Sequence, residues 1–131
     1  MNPNDLRYTE THEWTHVEET SDGKMATVGI TAFAVELLTD LVHIDLPAVG
    51  TAVQAGQPFG EVESVKSVSD LNSSVDGEIV EVNDGIVDQL ETLSNDPFGE
   101  GWLIKVKVSG DAGLDKLMDR PAYEAQCREH E

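Results

Sequence analysis

Hydrophobic and polar residues alternate over several short stretches of the chain, and turn-forming residues separate these stretches. The alternation is cleanest near the C-terminus, where Trp102, Ile104, Val106 and Val108 share one face of a predicted strand. Such alternation places one face of a strand against a core. Further strands are predicted at Tyr8–Glu19, Lys24–Ile30, Leu41–Leu46 and Glu78–Val82. The pattern therefore predicts a mainly β protein, a small barrel or sandwich.

Helical spacing occurs in three places, one of which is the segment with Ile86, Val87, Leu90 and Leu93. Thr31 is suited to cap a short helix whose apolar residues recur at i, i+4 and i+8, namely Phe33, Ala34, Leu37, Leu38 and Leu41. In the tail, Leu114, Leu117 and Met118 have helical spacing, and Pro121 suits the first position of a last helix. With 131 residues, we expect a single domain over residues 1–131 that ends in a helical tail over about 111–131.

The stretch from Gly60 to Asp70 holds an isolated lysine, Lys66, whose nearest charged neighbours in sequence are all carboxylates. Alternation alone predicts one continuous strand there. Both arms are strand-like, and Gly50 and Gly77 flank the stretch at positions where a hairpin could bend. However, the residues at the tip lack the Asn-Gly or Asp-Gly chemistry of a tight hairpin.

Charge and targeting features exclude several classes of protein. The net charge of −18 opposes binding to nucleic acids or anionic membranes and favours basic protein partners. No secretory or transit signal is visible at the N-terminus, and no apolar run reaches the length of about 20 residues that spans a membrane. The single cysteine, Cys127, cannot form an internal disulfide. We therefore expect a cytoplasmic protein without a membrane anchor.

The segment His12–His16 (HEWTH) matches the H-E-x-x-H pattern of zinc hydrolases. That pattern needs a helix, whereas this segment is predicted to be extended, which would separate the two imidazoles by about 13 Å. A zinc hydrolase remains an alternative of low prior. No nucleotide-binding glycine loop and no G-x-S-x-G pattern occurs. The sequence therefore predicts no metal site and no catalytic residue of its own.

The chain resembles the H-protein family of the glycine cleavage system. The resemblance runs from about Leu6 to Glu129 through the segments YTETHEW, ATVGIT, IDLPAVG, FGEVESVKSVSD, GEIVEVN and NDPFGEGWLIKVK. It implies a flattened barrel-sandwich hybrid of the lipoyl/biotinyl type with short peripheral and C-terminal helices. It also implies that Lys66 lies on a hairpin turn and carries lipoic acid in amide linkage.

The resemblance also implies a function and a set of partners. The carrier would shuttle an aminomethyl group from glycine decarboxylase (P protein) to the folate-dependent aminomethyltransferase (T protein), and reducing equivalents to dihydrolipoamide dehydrogenase (L protein). The chain would be a monomeric carrier and not an enzyme, and a lipoate ligase or lipoyltransferase would load it. A lipoyl relay that donates lipoate to 2-oxoacid dehydrogenases stays open, whereas a biotin carrier is disfavoured by Val65 and Ser67 beside the lysine.

Further residues take roles from the resemblance. Thr11, Glu13 and Asp70 would line the cleft that receives the lipoyl arm and its aminomethyl end. Carboxylates there would favour a cationic amine. Glu63, Gly50 and Gly77 would form the context that the ligase recognises. The chain departs from common family members at Leu37, where some have a histidine, at Thr39 and at Ser74.

Overall fold

The structure is a computed structural model that describes residues 6–9, 11–21, 23–38, 40–110 and 117–129. The strands within these ranges are Arg7–Tyr8 (β1), Glu13–Thr20 (β2), Gly23–Ile30 (β3), Leu41–Asp45 (β4), Ala52–Val53 (β5), Pro58–Ser64 (β6), Val68–Asn72 (β7), Asp76–Val82 (β8) and Ile104–Gly110 (β9). The helices are Ala32–Leu38 (α1), Glu91–Asn95 (α2), Arg120–Glu129 (α3) and a 3₁₀ helix at Asp84–Asp88.

The strands form two antiparallel sheets. Six strands pair in the order β1-β2-β3-β9-β8-β5, and three pair in the order β4-β6-β7. The hairpin of β2 and β3 supplies the longest uninterrupted register, from Glu13 opposite Ile30 to Thr20 opposite Gly23. Such continuous pairing satisfies the backbone N–H and C=O groups of both strands.

One hydrophobic core joins the two sheets. Val28, Ile79 and Ile104 of the larger sheet belong to the same buried cluster as Val62 and Leu71 of the smaller sheet. Each such side chain contributes about 1.5–3 kcal/mol when it is fully removed from water. The inner faces of the two sheets are therefore held together mainly by apolar burial.

A second buried cluster attaches α3 to the edge of the larger sheet. It consists of Leu6, Tyr8, Trp14 and Tyr123. The rings of Tyr8 and Tyr123 stack with centroids 4.5 Å apart and planes 10° apart. The backbones of Tyr8 and Met118 exchange two hydrogen bonds of 2.8 Å just before the helix begins. The C-terminal helix is thus fixed against β1.

The prediction of a mainly β protein with short helices is confirmed. Thr31 caps α1 as predicted, since its Oγ1 accepts a hydrogen bond from the Ala34 backbone N–H at 3.2 Å. The unbroken strand that alternation alone predicts from Gly60 to Asp70 is wrong, because the chain turns back between β6 and β7 in the hairpin that the resemblance implies. The turn interrupts alternation for only three residues, too few to show in a pattern.

The described part of the tail departs from the predicted helical spacing at two residues. Leu117 and Met118 are not helical, because Met118 pairs with Tyr8 as an isolated β-bridge. Pro121 is the second residue of α3 and not the first. Leu114, with the rest of 111–116 and 130–131, lies outside the described residues. Among the described residues, no helix combines the length and apolar character needed to cross a membrane.

Candidate functional site

Lys66 lies at the turn of the β6–β7 hairpin, and a buried serine shapes that turn. The Ser64 Oγ accepts hydrogen bonds from the backbone N–H groups of Lys66 at 3.3 Å and Ser67 at 3.2 Å. The Ser64 backbone N–H donates to the Ser67 carbonyl at 2.8 Å. A serine that bonds to backbone groups two and three residues onward is a known turn former. Ser64 therefore replaces the Asn-Gly chemistry that the sequence lacks.

The tip of the hairpin is open to solvent. Lys66 is exposed, and Val65 and Val68 beside it are 62% and 55% exposed. The backbone N–H of Val65 donates to the carbonyl of Asp40 at 3.0 Å, which fixes the tip against the segment that follows α1. Glu63 is also exposed and pairs with Val68 across the hairpin. The lysine is therefore held on an ordered backbone while its side chain stays accessible.

An open cavity of about 150 Å³ lies along the same hairpin. One part of its lining is apolar and comes from β3, α1, β6 and β7, with Ile30, Ala34, Leu37, Leu38, Val62 and Leu71. The other part is polar, with Thr11, His12, Glu13, Ser69 and Asp70. Asp70 follows Lys66 by four residues along the chain, or about 13 Å of extended backbone. The cavity is thus near enough for a long side chain attached at Lys66 to reach.

Glu13 is almost completely buried, with 1% of its surface exposed. Its Oε1 accepts hydrogen bonds from the Thr11 hydroxyl and, at 2.8 Å, from the Thr9 hydroxyl. The Thr9 Oγ1 also accepts a hydrogen bond from the Glu13 backbone N–H at 3.0 Å. Both hydroxyls thus hold the same oxygen of the carboxylate. Sequence reasoning missed Thr9, although its position four residues before Glu13 within TETHE was a usable signal.

Burial raises the pKa of the Glu13 carboxyl from its ordinary 4.5 to about 7. The hydrogen bonds from Thr11, Thr9 and the Asn72 backbone act in the opposite direction and lower the pKa, because they stabilise the ionised form. Desolvation is the larger effect. A cationic group in the cavity would favour ionised Glu13, since opposite charges at close range stabilise each other.

The structure brings together three of the residues predicted for the cleft, because Thr11, Glu13 and Asp70 all line the cavity. Gly50 and Gly77 lie elsewhere, on the larger sheet. Gly50 has φ +95° and donates its backbone N–H to the Ile79 carbonyl at 2.8 Å, and Gly77 lies within β8. The idea that these glycines bend the lysine hairpin is wrong, because the hairpin comprises only β6 and β7. Their role in ligase recognition stays a prediction.

The three residues at which the chain departs from common family members differ in their surroundings. Leu37 is 59% exposed and lines the cavity, so an apolar side chain lies where some family members have a histidine. Ser74 is buried and accepts a hydrogen bond from the Thr15 hydroxyl, which satisfies its polar group. Thr39 lies outside the described residues.

The HEWTH segment is extended from Glu13 onward, as predicted, but His12 lies in a turn, so the strand predicted over Tyr8–Glu19 is interrupted between β1 and β2. Its residues from Glu13 onward belong to β2, and His16 Nδ1 lies 3.3 Å from the Glu18 carboxylate. His12 Nδ1 lies 2.7 Å from the Tyr123 hydroxyl. Within the described part of the chain, no three His, Cys, Asp or Glu side chains converge to hold a metal ion. The geometry therefore gives no support to a zinc hydrolase.

Comparisons with known proteins agree on one family. The family model described as "Glycine cleavage H-protein" matches residues 6–130. The glycine cleavage system H protein of Rhodopirellula baltica is 54% identical over 127 residues, covering 97% of this chain and 96% of the relative. That of Rubrobacter xylanophilus is 53% identical over 112 residues, or 86% of each chain.

A solved structure shares the fold. The crystal structure of a glycine cleavage system H protein from Mycobacterium marinum superposes with a TM-score of 0.83 at 45% sequence identity. It covers 95% of this chain, and this chain covers 98% of it. The likeness confirms the fold class that was predicted from the resemblance.

Proposed function

The chain belongs to the glycine cleavage H-protein family, which makes it a lipoyl carrier of the glycine cleavage system, and we propose that Lys66 carries its lipoyl group. The observation that supports this most directly is an exposed lysine on a hydrogen-bonded hairpin turn beside a cavity with apolar and acidic walls. A carrier needs this combination, because the attached arm must be both presented to enzymes and sheltered between visits.

The residues present fit the attachment of such a group. A lysine and a free carboxylic acid do not form an amide unaided, so a lipoate ligase or lipoyltransferase has to form this bond. That enzyme requires an accessible side chain, and Lys66 provides one on a fixed backbone. Glu63, opposite Val68 at the tip, is exposed on the same hairpin and is proposed to contribute to recognition by this enzyme.

The cavity fits the arm and its cargo. When bound, the lipoyl group supplies a dithiolane that accepts the aminomethyl cargo and reducing equivalents. The apolar wall formed by residues such as Leu38, Val62 and Leu71 shelters the aliphatic part of an arm from water. Glu13 and Asp70 favour the cationic form of an amine at the polar end. An ammonium nitrogen has no lone pair with which to expel the neighbouring sulfur, so we expect the cationic cargo to be lost more slowly than the free amine.

We propose that the chain acts as a shared substrate of partner enzymes and has no catalytic residue of its own. Its partners would be glycine decarboxylase, the aminomethyltransferase and dihydrolipoamide dehydrogenase. The net charge of −18 favours partner surfaces that are basic, because opposite charges accelerate association. We expect the carrier to be a cytoplasmic monomer.

Intact mass of the protein from lipoate-competent cells tests the attachment site. We expect one lipoyl adduct on the wild-type chain, none on Lys66→Arg, and an unchanged adduct on the control Lys107→Arg, which alters an exposed lysine of β9. An adduct that survives Lys66→Arg would refute the site. Reconstitution with glycine decarboxylase and the aminomethyltransferase then separates this carrier from a relay that serves 2-oxoacid dehydrogenases.

A further inference from the structure

His12 has a backbone conformation that is uncommon for residues other than glycine. Its φ is +72°, in the left-handed region, where a side chain other than glycine costs about 1–2 kcal/mol. Strain of this kind persists only when surrounding contacts hold it, and it concentrates at functional sites. His12 stands between Thr11 and Glu13 and lines the cavity itself. What holds His12 therefore also sets the polar end of the cavity.

The contacts that hold His12 come partly from its own turn and partly from α3. Its backbone N–H donates to the Thr9 carbonyl at 3.2 Å, and its carbonyl accepts from the Thr31 N–H at 3.0 Å. Its ring lies with the centroid 4.9 Å from that of Phe33. Its Nδ1 lies 2.7 Å from the hydroxyl of Tyr123, a residue 111 positions further along the chain.

The same Tyr123 hydroxyl also contacts Thr31, the residue that caps α1. It lies 2.6 Å from Thr31 Oγ1, which caps α1 by accepting from the Ala34 N–H. Helix α1 contributes Ala34, Leu37 and Leu38 to the cavity. One buried hydroxyl thus connects the 9–13 turn to the start of α1. Burial also raises the pKa of the Tyr123 phenol, so the hydroxyl keeps its proton and remains a donor.

We propose that Tyr123 is a positioning residue for the cargo cavity: its hydroxyl holds His12 in the left-handed conformation that places Thr11 and Glu13. The C-terminal helix thereby determines how well the cavity retains the aminomethyl group. This inference rests on the proposed function for the nature of the cargo. The positioning itself is a property of the unmodified chain and is testable without lipoate.

Nuclear magnetic resonance of the unmodified protein gives the first test. In Tyr123→Phe, which removes only the hydroxyl, we expect shifted amide signals for Thr11 and Glu13 and a shifted Glu13 carboxyl carbon. Tyr8→Phe is the matched control, because Tyr8 is equally buried, stacks on Tyr123 and bonds to Arg120 at 3.3 Å. Unchanged signals in Tyr123→Phe, or equal changes in both variants, would overturn the proposal.

Retention of cargo gives the second test. Carrier with a confirmed lipoyl adduct is loaded from glycine, and release of ammonia and formaldehyde by hydrolysis is followed over time. We expect Tyr123→Phe to accelerate release about 3- to 10-fold, as the loss of one positioning hydrogen bond predicts, and Tyr8→Phe less than about twofold. Normal retention by lipoylated Tyr123→Phe contradicts the positioning role alone, whereas a missing adduct on wild-type protein contradicts the proposed function.

Substitutions at His12 test the conformation separately, and the comparison of two single variants does not require Tyr123→Phe to fold. Asparagine adopts the left-handed region far more readily than alanine does. We therefore expect His12→Asn to retain the cargo longer than His12→Ala. Adding Tyr123→Phe to His12→Asn should change retention little, because the tyrosine acts through His12. Equal retention in the asparagine and alanine variants, or fully additive effects in the double variant, would contradict the proposed link.

Discussion

Glu13 should make the unmodified protein less stable at neutral pH than at mildly acidic pH. The folded carboxyl titrates at about 7 because it is buried, whereas the ordinary value is 4.5. Between these two values the folded chain binds a proton at Glu13 that the unfolded chain has lost. Stability therefore falls as pH rises through this window, and the cost is complete above about pH 7.

The magnitude follows from the difference between the two pKa values. Each pKa unit corresponds to about 1.4 kcal/mol, so complete ionisation of buried Glu13 lowers the free energy of unfolding by about 3 kcal/mol. Roughly 2–3 kcal/mol of this loss occurs between pH 5 and pH 8. Because the side chain is 1% exposed, solvent screening scarcely reduces this figure. A cost of this size corresponds to roughly 10 °C in the midpoint of thermal unfolding.

Glu13→Gln isolates the effect. Glutamine keeps the shape and an oxygen that Thr9 and Thr11 can bond, but it does not ionise. Urea unfolding of both unmodified proteins, followed by tryptophan fluorescence at pH 5, 6, 7 and 8, gives the difference in their free energies of unfolding. We expect the variant to gain roughly 2–3 kcal/mol relative to wild type across this range. Other carboxylates titrate in both proteins and cancel.

A difference that stays constant within about 0.5 kcal/mol from pH 5 to pH 8 would refute the reasoning. A pH-independent offset added to a difference that still grows with pH would not, because that offset reflects the hydrogen bonds of the glutamine amide. If the result is as expected, the carboxylate that is proposed to hold the cargo lowers the stability of the protein while no cargo is bound.

Two further predictions concern the surroundings of the site and of the larger sheet. Thr9→Val should lower the free energy of unfolding by about 1–3 kcal/mol, because the buried Glu13 carboxylate and N–H both lose the Thr9 hydroxyl as a partner. The control Thr51→Val removes an exposed hydroxyl and should cost under about 0.5 kcal/mol. Urea unfolding of each variant measures this, and equal losses would contradict it. Gly77→Ala should cost about 1–3 kcal/mol, because a Cβ there would overlap the backbone of β9, while Gly85→Ala has open space and should be neutral. Thermal unfolding distinguishes the two, and a neutral Gly77→Ala with reduced lipoylation would favour a direct role in ligase recognition instead.

Much of the fold could be predicted from local patterns because those patterns report burial directly. Alternation placed β3 and β9 correctly to within a few residues, since one face of each lies on the core. It failed at the lysine hairpin and in the tail. The turn at Lys66 is made by a serine hydroxyl, and Met118 is extended because it pairs with Tyr8. Neither cause is visible in the spacing of apolar residues.

The residues of the candidate site also divide into those that the sequence indicated and those that only the structure revealed. Lys66 was singled out by its isolation in the sequence, and the resemblance supplied Thr11, Glu13 and Asp70. Thr9 and His12 were missed as parts of the cavity's polar end. Their roles depend on the backbone turn at residues 9–13, including a left-handed residue that is not glycine. Histidine adopts that conformation more often than most residue types, but residue type alone does not single out His12.

The sequence by itself determined the β class, the isolated lysine and the family, because these depend on short-range spacing or on matched segments read in order. Only the tertiary structure decided how the cavity is built. The hydroxyl of Tyr123, which comes from a helix at the other end of the chain, contacts both His12 at the polar end and Thr31 at the start of α1. Hydrogen bonds between residues so distant in sequence exist only after the core has packed, and a local pattern cannot specify them.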